Sequence, residues 1–221
     1  MPIRSSVMRE PVHHPLFARF YARCARGAET RMGLAELRGE LLAGLSGRVI
    51  EIGAGPGLNF RHYPRTVAEV VAIEPERHLR RLAVDEAQRA QVPVDVVPGV
   101  AEALPVKSEG FDAAVSSLVM CSVRDPARAL GELLRVLRPG GELRLLEHCR
   151  APGRGGAAVQ WVADHTFWPL LFGGCRTGRD TPAAVQASGF ELLELRRLRV
   201  PEHGLQVPSS PHVLATARRP G

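Results

Sequence analysis

Residues 48–58 read Arg-Val-Ile-Glu-Ile-Gly-Ala-Gly-Pro-Gly-Leu and carry the clearest structural signal in the chain. The first five are typical of a β-strand. Glycines then occupy three alternate positions, Gly53, Gly55 and Gly57, and a short helical stretch follows at about residues 58–63. Glycine lets the backbone turn sharply and approach a ligand that a Cβ atom would repel. The helix adds free N–H groups and the positive end of its dipole, which favour an anionic ligand group. The stretch therefore predicts a strand, a ligand-binding loop and a helix.

Short β-type runs and amphipathic stretches alternate along the chain after this unit. The helix at residues 126–137 is opened by Asp125 and Pro126, residue types that favour the N-cap and the first helical position. Repeated strand–helix–strand order is typical of a parallel sheet with helices on both faces, and ligands of such sheets bind at the carboxyl ends of the strands. Strands are predicted at 67–73, 94–97, 111–116 and 142–146, with a further helix at about 75–90.

The N-terminal part of the chain differs from this pattern. Residues 15–45 predict helices, so we expect a helical cap over residues 1–46 in front of a ligand-binding domain over residues 47–221. Phe17, Phe20, Tyr21 and Cys24 recur at helical spacing and form one apolar stripe. The stripe predicts either a lid over the ligand or simple packing onto the domain.

The C-terminal part is less regular. Residues 150–156 are rich in glycine and proline and predict a loop, and residues 159–172 predict a tryptophan-containing helix. Thr181 and Pro182 are plausible as the cap and first position of a helix that reaches residue 188. Two final strands are predicted at 190–200 and 212–217.

Composition limits the class of protein. The 221 residues suit one α/β domain with added elements, and 45 % apolar residues suffice for a core. The net charge of +6 comes from dispersed arginines, with Lys107 as the only lysine, so we expect no nucleic-acid partner. The beginning of the chain has no apolar signal region, and no stretch approaches the ~20 apolar residues of a membrane span. A cytoplasmic protein without stable membrane insertion is therefore predicted.

Glu74 follows the second predicted strand, about twenty residues after the glycine loop. A carboxylate at this place can accept both hydroxyls of a ribose. Its alternative role is that of a solvated carboxylate before Pro75. A dinucleotide fingerprint would need glycine at position 58, where this chain has Leu58, which argues against a nicotinamide-dependent oxidoreductase as an outside alternative.

Four features in the same order resemble the class I S-adenosylmethionine-dependent methyltransferases. Residues 49–57 resemble that family's first motif, and Glu74 matches its acidic ribose-binding position. Residues 99–105 resemble its adenine-binding segment, and residues 137–143 resemble the stretch that enters its fifth strand. The resemblance implies a Rossmann-like, doubly wound sheet of seven mostly parallel strands, the last one antiparallel. It also implies S-adenosyl-L-methionine as the cofactor.

The likeness extends to one subgroup, the mammalian methyltransferase-like proteins that methylate alkyl thiols. It rests on residues 59–60 and 63–64, 117–123, 146–148 and 171–175, together with Arg179 and Phe190. It implies methyl transfer to a small, largely apolar acceptor, with an alkyl thiol as the preferred interpretation. O- or N-methylation of a lipid, a quinone or a secondary metabolite is the alternative. The mammalian proteins carry an N-terminal membrane anchor, which we do not carry over to this chain.

The cofactor-binding residues are expected around the ends of the first four strands. Val100 stands where many members of the family have an acidic residue that accepts a bond from the adenine amino group. Glu102, a water molecule, or apolar walls with the backbone of Ala101 would have to take that role. The predicted set is Glu51, Gly53, Ala54, Gly55, Gly57, Asn59, Glu74, Pro75, Ala101, Glu102, Ser117 and Leu118.

Methyl transfer needs alignment of donor and acceptor more than a catalytic side chain, and aligning them can contribute roughly 7–11 kcal/mol. A thiol, with a pKa of about 8.5, needs little help to lose its proton. His148, directly after the fifth strand, is the best candidate base; its alternative role is a structural hydrogen bond or a place at the surface. His165 is a second candidate that could line the acceptor pocket.

The remaining candidates concern packing and metals. Trp161, Phe167, Trp168 and Phe172 concentrate the scarce aromatic residues in one stretch, and we expect them to wall the acceptor pocket. The cysteines, Cys24, Cys121, Cys149 and Cys175, form no C-x-x-C pair and are expected to be reduced packing residues. His13 and His14 have no third ligand at a suitable spacing, so the sequence predicts no metal.

Overall fold

The computed structural model describes residues 15–221, without the side chains at 15–17, 24–26, 28 and 30. His13 and His14 lie outside the described residues, as do the side chains of Phe17 and Cys24. The elements are α1 (Pro15–Arg31), α2 (Leu34–Leu42), β1 (Gly47–Ile52), a 3-10 turn (Phe60–His62), β2 (Val67–Ile73), α3 (Arg77–Ala87), β3 (Val94–Val97), β4 (Phe111–Ser117), α4 (Pro126–Val136), β5 (Leu137–His148), α5 (Arg154–Asp164), α6 (Trp168–Leu171), α7 (Thr181–Ala187), β6 (Glu191–Arg199) and β7 (Pro211–Arg218).

The strands form one seven-stranded sheet in the order β3-β2-β1-β4-β5-β7-β6. β1 pairs in parallel with β2 on one side and with β4 on the other, and β7 runs antiparallel to both β5 and β6. This confirms the Rossmann-like methyltransferase fold with its antiparallel last strand. The strand order reverses between β1 and β4, and parallel sheets bind ligands at the carboxyl side of such a point.

The apolar residues of β1 divide between the two faces of the sheet, since alternate side chains of a strand point in opposite directions. Ile50 and Ile52 belong to the core beneath α4, whereas Val49 belongs to the core beneath α2 and α3. All three are fully buried. Glu51 shares the face of Val49, so a carboxylate is built into the core on the side covered by α2.

α2 is part of that second core, because Leu41 and Leu42 pack in the same cluster as Val49 and Val70. The division into a helical cap (1–46) and a domain (47–221) stays a prediction. Among the residues that the structure describes, no helix is both long and apolar enough to cross a bilayer.

Two local predictions for the C-terminal part are wrong. The single helix expected at 159–172 is two helices, and α5 already begins at Arg154 within the expected loop. Pro169 has no N–H with which to continue a helix through this region. The N-cap of α7 is Asp180 instead of Thr181, because the Asp180 carboxylate accepts a bond from the amide of Ala183.

Candidate functional site

The glycine loop after β1 is tightly packed at its start. Gly53 has a φ of +59°, and a Cβ atom added to it would lie 2.5 Å from Cγ2 of Val119. Gly55 has a φ of +57° and presents its amide to the end of β2. Both positions therefore need glycine, for a left-handed backbone and, at Gly53, for the close approach of the loop after β4.

Glu74, the first residue after β2, holds this loop in place. Its Oε2 accepts a bond from the amide of Gly55 at 2.7 Å, and its Oε1 accepts one from the amide of Glu76 at 2.8 Å. A carboxylate has about four acceptor positions, so both oxygens retain capacity for further donors. Burial raises the pKa of Glu74 to about 7. The sequence predicted that Glu74 lies at the end of β2 as a partner of this loop, but it did not indicate a direct hydrogen bond between the two.

A buried arginine links α2 to the ends of β1 and β4. The Arg38 Nε donates to Glu29 at 2.9 Å, and its Nη1 donates to Oδ1 of Asn59 at 2.7 Å and to Oγ of Ser117 at 2.8 Å. Arg38 is only 4 % exposed. Sequence reasoning missed Arg38 and Glu29, because one arginine among the many on the helices has no local mark of burial.

Glu51 completes this buried network. Its carboxylate accepts a bond from the Asn59 side-chain amide at 2.9 Å and one from the Tyr63 hydroxyl at 2.8 Å. Burial raises the pKa of Glu51 to about 7, and these two hydrogen bonds oppose the rise. Glu51, Asn59 and Ser117, three of the predicted cofactor residues, are thus joined in one hydrogen-bonded network through Arg38.

Another buried carboxylate, Glu147, fixes the loop after β4. It accepts bonds from the Ser116 hydroxyl at 2.7 Å and from the amides of Val119 and Met120 at 3.0–3.1 Å. Leu118 adopts a φ of +61°, which is costly for a leucine and is found mostly at functional sites. The loop is therefore held in a strained shape beside the glycine loop.

The segment after β3 is arranged differently from the expectation for an adenine contact through Glu102. Its Oε1 accepts a bond from the amide of Arg124 at 2.8 Å and so anchors the chain before α4. Ala101 is buried, and Val100 and Ala103 form a short bridge. Pro75 follows Glu74 directly in the chain, and the amide of Ala54 donates to the carbonyl of Ile73, the residue before Glu74.

The apolar stripe of α1 is split by the structure. Tyr21 lies over the glycine loop, with its Cε1 3.7 Å from where a Cβ of Gly55 would be. Burial raises the pKa of Tyr21. Phe20 is 57 % exposed. The Tyr21 side of the stripe therefore covers the candidate ligand loop, and the Phe20 side does not.

His148 stands at the end of β5 between two cysteines that come from distant parts of the chain. Its Nδ1 lies 3.4 Å from Sγ of Cys175, and ligand atoms of Cys121, His148 and Cys175 all lie within 4.8 Å of one another. His148 also packs edge-to-face on His212. Nothing in the spacing of the sequence indicated that these residues meet.

The aromatic residues do not act as one wall. Trp168 and Phe172 stack with ring centroids 4.3 Å apart next to Cys121 and Cys175. Trp161 and Phe167 are exposed, and Trp161 stacks on His165 at the surface. The break between α5 and α6 causes this, since it turns the two halves of the stretch to different sides. Trp161, Phe167 and His165 therefore do not line a buried pocket together with Trp168.

The chain is similar to known methyltransferases in sequence and in fold. A family model described as a methyltransferase domain matches residues 50–145. The thiol S-methyltransferase TMT1A of Homo sapiens is 33 % identical over 165 residues, which cover 72 % of this chain and 67 % of that protein. The thiol S-methyltransferase TMT1B of Homo sapiens is 32 % identical over 183 residues, which cover 80 % and 73 %. The structure of a putative methyltransferase from Bacillus halodurans has the same fold, with a TM-score of 0.68, 18 % identity, and coverage of 85 % of this chain and 99 % of that one.

The raised pKa of Glu51 predicts a pH-dependent stability. Because this pKa is about 7 in the folded protein, against an ordinary 4.5, the folded state binds more protons than the unfolded state between these values. The free energy of unfolding therefore falls as the pH rises through this window. Glu51→Gln is expected to reduce that fall by about 2 kcal/mol between about pH 5 and pH 7. Urea unfolding followed by circular dichroism at each pH measures the change.

Glu69→Gln is the matched control, since it removes a β2 carboxylate whose side chain is 42 % exposed. This variant is expected to keep the wild-type dependence on pH. If Glu51→Gln also kept it, the carboxyl of Glu51 would not titrate in this window.

Proposed function

The chain belongs to the class I S-adenosylmethionine-dependent methyltransferases, and we propose that it methylates a small, largely apolar acceptor, an alkyl thiol. One observation carries the cofactor part of the proposal. The carboxylate of Glu74 and the amide of Gly55 are bonded directly across the ends of β2 and β1. Family membership removes the nicotinamide-dependent alternative.

The residues at this point fit S-adenosyl-L-methionine. Glu74 retains acceptor capacity for the two ribose hydroxyls, and the left-handed turn at Gly53 and Gly55 leaves the backbone bare of side chains beside it. Arg38, buried beside Asn59 and Ser117, is the cation that suits the carboxylate of the cofactor's amino-acid end. When bound, the cofactor supplies an electrophilic methyl group on a sulfonium.

The acceptor side of the site is apolar. Trp168 and Phe172 stack against the buried thiols of Cys121 and Cys175, and these groups favour a ligand with little charge. The 31–33 % identity with proteins named as thiol S-methyltransferases supports a thiol as the acceptor group. A thiol also requires the least from the protein, since its pKa of about 8.5 lies close to neutrality.

His148 is the last residue of β5 and lies next to this apolar wall. We propose that it promotes ionisation of the acceptor's thiol. Alignment of the thiol sulfur with the methyl group supplies most of the rate acceleration. Leu118 and the loop fixed by Glu147 lie between the cofactor side and the acceptor side of the site.

Loss of the Glu74 carboxylate tests the cofactor site. Glu74→Ala is expected to weaken binding of S-adenosylhomocysteine by about tenfold or more, because charge-assisted hydrogen bonds contribute roughly 1.5–3 kcal/mol each. Isothermal titration calorimetry measures the Kd. Wild-type affinity should also fall as the pH drops below about 7, where Glu74 takes up a proton. Glu69→Ala, on the same strand, should leave the Kd unchanged, and an unchanged Kd in Glu74→Ala would refute the ribose contact.

The acceptor class is tested with a panel of alkyl thiols, phenols and amines and labelled S-adenosylmethionine. We expect kcat/KM for apolar alkyl thiols to exceed that for phenols and amines of the same size, since only the thiol ionises readily near neutrality. A preference for phenols or amines would favour the lipid, quinone or secondary-metabolite alternative.

The apolar wall is tested by two tryptophan variants. Trp168→Ala removes a side chain that is 8 % exposed and is expected to raise the acceptor KM several-fold, while the Kd for S-adenosylhomocysteine changes little. Trp161→Ala removes a tryptophan that is 61 % exposed and should leave both constants unchanged. A large rise in the Kd for S-adenosylhomocysteine in Trp168→Ala would instead place Trp168 on the cofactor side of the site.

A further inference from the structure

We propose that Cys121, His148 and Cys175 bind one zinc ion whose open fourth position takes the thiolate of the acceptor. The three ligand atoms, two Sγ and one imidazole nitrogen, lie within 4.8 Å of one another. The ion's role in catalysis rests on the proposed thiol-methylating function, whereas its binding does not.

The donor set suits this metal. Zinc binds cysteine sulfur at about 2.3 Å and histidine nitrogen at about 2.0–2.1 Å, in tetrahedral geometry. Tetrahedral ligands are therefore less than 4 Å apart, as Nδ1 of His148 and Sγ of Cys175 already are at 3.4 Å. Three protein ligands with an exchangeable fourth position are typical of catalytic zinc sites, whereas structural sites have four.

Backbone and side-chain bonds hold the three ligand segments together. The carbonyl of Cys121 accepts a bond from the amide of Arg176 at 2.8 Å, which joins the loop after β4 to the loop that carries Cys175. Asp164, the last residue of α5, accepts bonds from the amide of Thr177 at 2.7 Å and from its hydroxyl at 3.0 Å. Thr181 donates through Oγ1 to the carbonyl of His148 at 3.3 Å. These bonds hold the three ligand segments next to one another without a metal.

Charge is also balanced. Two thiolates neutralise a divalent ion, so the loaded site adds no net charge to a buried place. Arg179 donates to the carbonyl of Met120, the residue directly before Cys121. Its positive charge favours one further anionic ligand, which an acceptor thiolate would supply.

The indole of Trp168 borders the three ligands. Its ring packs against Cys121 and Cys175, and its buried nitrogen lies within reach of the Cys175 sulfur. Buried tryptophan N–H groups usually have a hydrogen-bond partner, and a zinc-bound sulfur is an acceptor for this one.

The site supports methyl transfer to a zinc-bound thiolate. An acceptor R–SH binds the ion as the thiolate and releases its proton to solvent, because coordination deprotonates a thiol. A bond forms between its sulfur and the methyl carbon, and the bond from that carbon to the sulfonium breaks, with its electron pair left on the departing thioether sulfur. The product R–S–CH₃ is a neutral thioether and a weaker ligand than a thiolate, so it leaves.

The metal site is tested with the full-length chain. Zinc analysis after dialysis is expected to give one zinc per chain, and the cobalt-substituted protein should show the visible spectrum of a tetrahedral thiolate site. Cys121→Ser and Cys175→Ser should each weaken zinc binding by about 100-fold or more in a competition with a chromophoric chelator. Cys149→Ser is the matched control, because Cys149 is buried one residue from His148 but outside the cluster, and it should bind zinc like the wild type.

Several results would overturn the proposal. One is the absence of stoichiometric zinc, and another is an octahedral cobalt spectrum. A third is a zinc affinity equal to that of the wild type in both Cys121→Ser and Cys175→Ser. A disulfide between Cys121 and Cys175 that persists in protein purified with a reductant, seen by mass spectrometry after alkylation of free thiols, would also overturn it. Circular dichroism of each variant separates loss of ligand from loss of fold, and His148→Asn provides a third ligand variant that leaves both cysteines in place.

Calorimetry with S-adenosylhomocysteine separates this proposal from the proposed function. Removal of zinc with a chelator should lower alkyl-thiol methylation about tenfold or more at pH 7, where only a few per cent of a free thiol is ionised, without changing the cofactor's Kd. If the protein binds zinc but methylates no thiol, the metal site stands and the acceptor assignment fails. If thiol methylation survives complete removal of zinc, the catalytic role of the ion is wrong and His148 remains the candidate base.

Discussion

The contact between the carboxylate of Glu74 and the amide of Gly55 is the constraint on which the site depends. It joins the ends of β2 and β1, next to the point between β1 and β4 where the strand order reverses, and it holds the glycine loop in its left-handed turns. A buried carboxylate is unfavourable unless it accepts hydrogen bonds, so the loop and the glutamate stabilise each other. The same principle recurs on β5, where Glu147 binds the backbone amides of the loop after β4. Buried carboxylates at the ends of β2 and β5 thus shape the two loops.

The helices before the sheet take part in this site and do not merely cover it. Arg38 of α2 reaches Asn59 after β1 and Ser117 at the end of β4, and Tyr21 of α1 lies over Gly55. A guanidinium with donors in a fixed plane can hold several acceptors in one geometry. Any ligand bound at the loop therefore contacts groups whose positions depend on the packing of α1 and α2. Cofactor binding and the stability of the N-terminal helices are expected to be coupled for this reason.

The two halves of the site have different chemical characters. On the side of Glu74 and Arg38 the buried groups are charged and suit a polar nucleoside with an amino-acid end. On the side of Trp168 they are aromatic rings and thiols, gathered around His148. Methyl transfer needs little more than alignment between such halves, and the proposed ion adds ionisation of the acceptor sulfur. The polar half is set by the ends of β1, β2 and β4, whereas the apolar half is built by the segments after β5 together with Cys121 of the loop after β4.

The sequence by itself determined the sheet, the glycine loop and the family, because strand periodicity, glycine spacing and Glu74 are local signals that survive in a linear pattern. It named Glu51, Asn59 and Ser117 as cofactor-binding residues, a role that stays a prediction. Only the tertiary structure decided that Arg38 is buried among them, that Trp161 and Trp168 point to different sides, and that Cys121, His148 and Cys175 meet. These contacts join residues far apart in the chain, and their geometry depends on how α5, α6 and the loop to α7 pack on the end of β5. No spacing in the sequence encodes that packing.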